Sequence, residues 1–466
     1  MAETENSPNA SATDFGPYVS PDSLEKLKVG RTFLIGLAFF ASSVFWATYN
    51  PYVQNDILDN IYGLNTIAIG VFMVIDNVFG VVMQPWIGNL SDKTRTRFGT
   101  RIPYVMVFVP IAAVLFAVAP HVAYLPNSFW WFFGVIVAFN IAMAAFRAPA
   151  VALMPDLTPP KFRSTANGII NLMGGLATLI IFTLGAVLSA IRLEYTFYLS
   201  SVCALAAMAL LYWRVKEPRE PIPWHLIPGS GQTEDDLVDA GEKKSTWANL
   251  KDAFSSPNKS AAFVFFAIFF WFFAYNLVES FGAIFFEDTM GISTGQTTLL
   301  LSAFLIAFVL FSIPAGKISE RIGRRNTILA GIALDFVVFV ILAVVVHQVT
   351  TLVPIFVFFA IGGCGWGMIN VNSIAIVWSL TTADKIGAYT GLYYFFSFMA
   401  QIVGPVIGGV VFYFVDIRYA MFPLSLVFFA LSGFCMTRVK AGEVHEEGDE
   451  DRERREAFAR SHVADD

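Results

Sequence analysis

The chain has 466 residues, of which 56% are hydrophobic and only 14% charged, with 47 phenylalanines and a mean hydropathy of +0.62. Ordinary soluble domains are about 45–50% apolar and about 25% charged, so this composition excludes a soluble globular protein and marks an integral membrane protein. The net charge of −6 says little about partners, because the acids fall mostly in the tails and the central loop. The three cysteines, Cys203, Cys364 and Cys435, all lie inside apolar segments, and no disulfide is expected.

In chain order, residues 1–29 form a polar, mildly acidic tail without a cleavable leader pattern. Apolar runs long enough to span a bilayer, about 20 residues each, then fall at 30–53, 66–89, 102–120, 128–153, 165–190 and 194–214. This first six-helix half, 30–214, ends at a Pro-, Gly- and acid-rich linker, 215–259. The end of that linker, TWANLKDAF, has the pattern of a short surface helix. A second half, 260–437, follows with runs at 260–286, 294–316, 327–347, 352–379, 387–412 and 417–437, and the chain closes on a highly charged tail, 438–466. The expectation is an all-α membrane protein of twelve transmembrane helices.

Lys93, Arg95, Arg97, Arg101, Lys161, Arg163, Lys317, Arg321, Arg324, Arg325 and Lys385 sit in the loops on one side, against only Arg192 and Arg418 on the other. The positive-inside rule then places both termini and the linker in the cytoplasm. The halves also echo one another. GNLSDKTRTRFGTR from Gly88 is matched by GKISERIGRR from Gly316, FWATYN by FWFFAYN, and PDLTPPKFRSTANG by SLTTADKIGAYTG, all at nearly one offset. A duplicated six-helix unit is a transporter signature.

The loop pattern of glycine, three residues, acid, base, then a second glycine with further bases resembles the motif of the major facilitator superfamily. The resemblance implies two pseudosymmetric six-helix halves. It also implies a gate on the cytoplasmic face built from Gly88, Asp92, Arg97 and Arg101 in the first half and Gly316, Glu320 and Arg324 in the second. PYVQ from Pro51, QPWIGNLSDKTRTRFGTRIPYV from Gln84, RAPAVALMPDLTP from Arg147 and NLVESF from Asn276 resemble, more closely, the sucrose:proton symporters and their bacterial relatives. These stand near the glycoside-pentoside-hexuronide:cation symporters. That resemblance implies import of a di- or oligosaccharide driven by a cation gradient. The acids that build a sodium site in melibiose-type carriers are replaced here by Gly80 and Gln84, and the fourth-helix position by Arg147. A guanidinium among sodium ligands would repel the ion, so the resemblance points to protons.

An ionisable group at mid-bilayer costs several kcal/mol, about 2.5–3.5 on insertion scales, and is kept where it pairs or faces a cavity. Asp76 stands about 15 Å deep in the second span at 1.5 Å per residue. It shares a face with Gly80 and Gln84, and Asn77 lies beside it. Asn140 and Arg147 share a face of the fourth span. A pair between Asp76 and Arg147 would lower the cost of both, either as a structural lock between two helices or as a switch broken by protonation.

In the seventh span Trp271, Tyr275 and Glu279 recur every four residues with Asn276 alongside, echoed by Trp46, Tyr49 and Asn50 in the first. Aromatic faces stack on sugar rings while carboxylates and amides bond hydroxyls. Asn167, Asn171, Trp366, Asn370, Asn372, Tyr394 and Gln401 are further polar candidates, and Asp335 in the ninth span suits a structural or inner-interface role. The run Gly362, Gly363, Gly365 and Gly367 suggests close packing or bending of the tenth span.

No phosphate loop, HExxH or CxxC is present, so neither ATP-driven transport nor a metal site or other cofactor is expected. The basic loops are too short for nucleic acid.

The sequence therefore predicts no enzyme. It predicts a monomeric symporter in the cell membrane that carries a sugar such as sucrose or maltose with a proton on Asp76 or Glu279. A proton-coupled exporter of hydrophobic compounds and a non-transporting sugar sensor are its rivals.

Overall fold

A computed structural model describes residues 24–64, 72, 75–224, 227, 230, 254, 259–291, 294–348, 351–381 and 385–440. Among them are twelve long helices and no named strand. These are α1 (Val29–Thr48), α2 (Ile75–Lys93), α3 (Ile102–Ala123), α4 (Phe129–Leu157), α5 (Arg163–Ile180) and α6 (Leu193–Arg214), then α7 (Ser260–Met290), α8 (Thr294–Ile322), α9 (Arg324–Val345), α10 (Val353–Ser379), α11 (Ile386–Phe414) and α12 (Ile417–Thr437). Eleven spans are long and apolar enough to cross a membrane. The shorter described stretch of α2, which carries Asp76, Asp92 and Lys93, completes the set. The tails and most of the linker, including TWANLKDAF up to Phe254, lie outside the described residues.

Two helices run on in wider turns. α1 continues through Tyr49–Ile61 and α5 through Ile181–Gly185, both wound as π-helix. Pro51 gives the physical reason in α1, since proline has no backbone donor for the ordinary helical ladder. The first helix therefore extends past the expected end at 53, as far as Ile61.

Lipid is as apolar as leucine, so helices in a bilayer associate through close packing and hydrogen bonds rather than hydrophobic burial. The small residues carry this out. A Cβ on Gly331 of α9 would sit 2.7 Å from the Gly365 carbonyl oxygen of α10, and one on Gly363 would overlap the Phe304 carbonyl of α8. Hydroxyls reinforce it, with Thr48 bonded to Ser200 between α1 and α6 and Ser201 Oγ donating to the Ala113 carbonyl at 2.9 Å between α6 and α3. The resulting bundle has its halves joined along two seams, α2 against α11 and α5 against α8.

Candidate functional site

The basic side of the bundle is closed by a network grown from the repeated motif. In each half a glycine with left-handed φ, Gly99 at 104° and Gly323 at 86°, turns the chain just before an arginine at a helix start. No other residue adopts these φ values without strain. The arginines so placed, Arg101 and Arg324, are both fully buried.

Arg101 donates through Nε to Asp156 at 2.7 Å, through Nη2 to Asp92 at 2.5 Å, and also to the Ser91 hydroxyl. Asp92 reaches across to the other half, accepting from the backbone N–H groups of Gly387 at 2.9 Å and Ala388 at 2.7 Å, the start of α11. A carboxylate at a helix N-terminus meets unpaired donors and the positive end of the dipole.

The second half is built differently. Arg324 bonds Ser164, Ser379 and the Pro160 carbonyl, while Glu320 faces the Thr165 side chain at the start of α5. Arg97 is exposed and lies over the Phe98 ring, away from this network.

Two carboxylates that sequence reasoning did not single out belong to this network. Asp156 is the second partner of Arg101. Glu217, from the linker, accepts from the N–H groups of Arg101 and Ile102 and from the Thr100 hydroxyl, capping α3. The acid in PDLTP was a visible signal for the first. The second had none, because a cap from so distant a segment leaves no spacing in the sequence.

Glycines let the seams close. A Cβ at Gly88 would overlap the Gly387 carbonyl, one at Gly316 would press on the Thr165 backbone, and one at Gly391 would overlap Pro85. Gly88→Ala is therefore expected to hold the gate ajar and cut transport by about tenfold or more, since a methyl group forces the backbones apart where only close approach works. Wild-type flux in Gly88→Ala vesicles would contradict the seam's role.

Deeper in the bundle the halves meet at Arg147 of α4. Its guanidinium carbon is 5.8 Å from the centre of the Trp46 ring of α1 and 5.3 Å from that of Tyr394 of α11, and it hydrogen-bonds Tyr394. The flat cation is held between aromatic faces from opposite halves. Arg147 Nε and Trp46 Nε1 are buried without a hydrogen-bond partner among the described residues, as are Gln84 Oε1, Asn140 Oδ1 and Trp271 Nε1. The side chains of Asp76 and Asn50 lie outside the described residues, so the Asp76–Arg147 pair stays an expectation. Among the described residues no carboxylate lies within ion-pair distance of Arg147.

From Tyr394 a chain of ring contacts leads through the second half. Tyr393, Phe272, Trp366 and Tyr275 follow at centroid spacings of 5.3, 6.1, 5.4 and 4.4 Å, the last pair stacked. Tyr275 hydrogen-bonds Glu279 one turn on.

The remaining candidates are placed more quietly. Tyr49 is fully buried against Phe139, with the Asn140 amide donating to its hydroxyl at 3.4 Å. Trp271 is fully buried, and Asn276 donates to the Phe272 carbonyl of its own helix at 2.6 Å. Asn77 on α2, Asn370 on α10 and Gln401 on α11 are half-buried. Asn167 joins the halves by donating to the Val371 carbonyl at 2.7 Å.

The model of the Major Facilitator Superfamily matches residues 35–405 and again 281–463. A tetracycline resistance protein of class H from Pasteurella multocida is 24% identical over 228 residues, 47% of this chain and 51% of that protein, so the match spans about half the length of that relative. Among solved structures, the human organic anion transporter MFSD10 (TETRAN) superposes with a TM-score of 0.66 at 16% identity, over 88% of this chain and 100% of that one. The proton:xylose symporter XylE, bound to 6-bromo-6-deoxy-D-glucose, superposes at 0.62 and 15% identity over 92% and 98%. Identities this low speak to fold alone, but the family model covers most of the sequence. The chain belongs to the major facilitator superfamily.

Proposed function

We propose that this chain is a secondary active transporter that imports a di- or oligosaccharide, such as sucrose or maltose, with a proton. One observation carries the reading. At the junction of the halves, a half-buried guanidinium between two aromatic rings keeps a buried, unpartnered Nε, beside a buried, unpartnered indole Nε1. A buried polar group without a partner costs about 1–3 kcal/mol. A ligand rich in hydroxyls and with flat ring faces satisfies both donors and stacks on the rings.

In this reading both termini and the linker are cytoplasmic, and the motif network is the cytoplasmic gate in its closed state. The cleft above it faces outward. Sugar enters from outside with a proton on Asp76 or Glu279. Protonation of Asp76 removes the charge that would hold Arg147, freeing the guanidinium for sugar hydroxyls. The gate then opens as Asp92 leaves the start of α11.

The test is external pH during addition of unlabelled sucrose, maltose and related glycosides to de-energised cells expressing the protein. Alkalinisation with one sugar, absent in Asp76→Asn, is the expected result. Sugar entry that follows sodium and leaves pH unchanged would refute proton coupling.

A second reading, proton-coupled export of a hydrophobic compound, is favoured by the likeness to the tetracycline resistance protein. It predicts drug sensitivity on deletion and no sugar-induced pH change.

A further inference from the structure

The basic side of the first half carries a patch of cations outside the arginine network. The loop before α3 and the chain leaving α6 run side by side there. Phe98 meets Tyr212 edge to face with ring centres 5.8 Å apart, Glu217 accepts from the Arg101 N–H at 2.8 Å, and Arg95 pairs with Glu220 at 3.1 Å. These two segments gather four exposed cations, Arg97 from the loop and Arg214, Lys216 and Arg219 from the chain at and after the end of α6. None of the four is within ion-pair distance of a carboxylate among the described residues. The two acids of these segments are engaged elsewhere, Glu217 in capping α3 and Glu220 with Arg95.

Topology asks only that basic residues lie on this side, not that they be held in this way. In the second half Arg325, at the start of α9, spends its donors on the last carbonyls of α12, Met436 at 3.0 Å and Thr437 at 2.8 Å. In the first half the guanidiniums lie over rings instead. Arg97 stands 4.6 Å from the centre of Phe98, and Arg214 stands 4.2 Å from that of Trp213. A ring holds a guanidinium flat and leaves its N–H edge open to a bidentate acceptor such as phosphate.

The surroundings select the anion. Trp213 is 70% exposed and Tyr212 45%, and Leu210 and Val202 further along α6 are exposed as well. Tryptophan and tyrosine settle at the boundary between membrane and water, which puts the neighbouring cations at the level of the headgroups. A small soluble anion would meet the charges but gain nothing from the apolar face beside them. A phospholipid supplies a phosphate for the guanidiniums and acyl chains for that face. Clusters of basic residues just outside a spanning helix attract lipids of net negative charge.

We propose that this patch binds an anionic phospholipid, with its headgroup among Arg97, Arg214, Lys216 and Arg219 and its acyl chains along the exposed face of α6. The site is separate from the Arg147 junction and stands whether or not the chain carries sugar.

The experiment is native mass spectrometry of the purified full-length protein in neutral detergent, titrated with dioleoylphosphatidylglycerol and, separately, with dioleoylphosphatidylcholine. The two lipids share their chains and phosphate, and the choline cancels the charge. Phosphatidylglycerol should bind at least about tenfold more tightly. Arg97→Gln combined with Arg214→Gln should remove most of that preference, a drop of about tenfold, and leave phosphatidylcholine binding unchanged. Lys317→Gln combined with Arg321→Gln, which removes two exposed cations of the second half, should leave the preference intact.

Trp213→Ala keeps all four charges but removes the ring under Arg214. It should weaken phosphatidylglycerol binding severalfold, and it serves should the arginine variant misfold. Equal affinity for the two lipids would overturn the proposal, as would an unchanged preference in the folded arginine variant or unchanged binding in Trp213→Ala. An equal loss in both double variants would mean that net charge alone attracts the lipid, and the patch would not be a site. Displacement of phosphatidylglycerol by equimolar inorganic phosphate would mark a site for free anions and would overturn it too.

Discussion

Arg147→Ala is expected to reduce uphill accumulation of sugar to background, a loss of about a hundredfold or more. The variant removes the hydrogen bond to Tyr394, two ring contacts and the donor proposed for substrate. Each desolvated cation–ring contact is worth up to about 2 kcal/mol, and charged hydrogen bonds about 1.5–3 kcal/mol. Arg147→Lys should rescue little, because an ammonium keeps the charge but cannot lie flat between Trp46 and Tyr394 while donating sideways. The measurement is labelled sucrose or maltose uptake in energised cells, with surface expression determined in parallel. Full accumulation by Arg147→Lys would show that only charge matters at this junction, and the proposed contact with the sugar would be lost.

Arg101→Ala should have the largest effect on stability. It strands Asp92 and Asp156 in a buried site, and removing one partner of a buried ion pair costs about 3–5 kcal/mol because the other charge is left uncompensated. Water entering at the gate would relieve that cost, so the variant should favour the state open on the basic side, with a lower unfolding temperature. Neutralising an acid in the same molecule separates structure from charge. Arg101→Ala combined with Asp156→Asn should recover a substantial part of the lost thermal stability, since fewer buried charges remain. A double variant no more stable than the single would mean that Arg101 acts through packing instead.

The spans were legible because composition and length alone mark them, and the repeated motif marked Gly88, Asp92, Arg101, Gly316 and Arg324, which the structure packs where the halves meet. The handedness of Gly99 and Gly323 follows from the same motif, since only glycine turns the chain there at no cost. Other features depend on tertiary proximity, which spacing does not encode. Glu217 reads as one acid in a proline-rich stretch, yet it caps a helix more than a hundred residues away. Arg324 holds the place of Arg101 in the second half, and its donors go to Ser164, Ser379 and the Pro160 carbonyl. Repetition of the motif did not enforce repetition of bonds.

The linker's first stretch is sewn to the first half. Glu217 caps α3, the Trp224 indole donates to the Asp156 carbonyl at 3.3 Å, and Lys161 donates its backbone N–H to the Ser230 carbonyl at 3.0 Å. The same Asp156 holds Arg101. Through these bonds the segment near Ser230 is tied to the partner of Arg101 before the chain reaches the second half. The strap between the halves is thus moored at one end to the arginine network of the first.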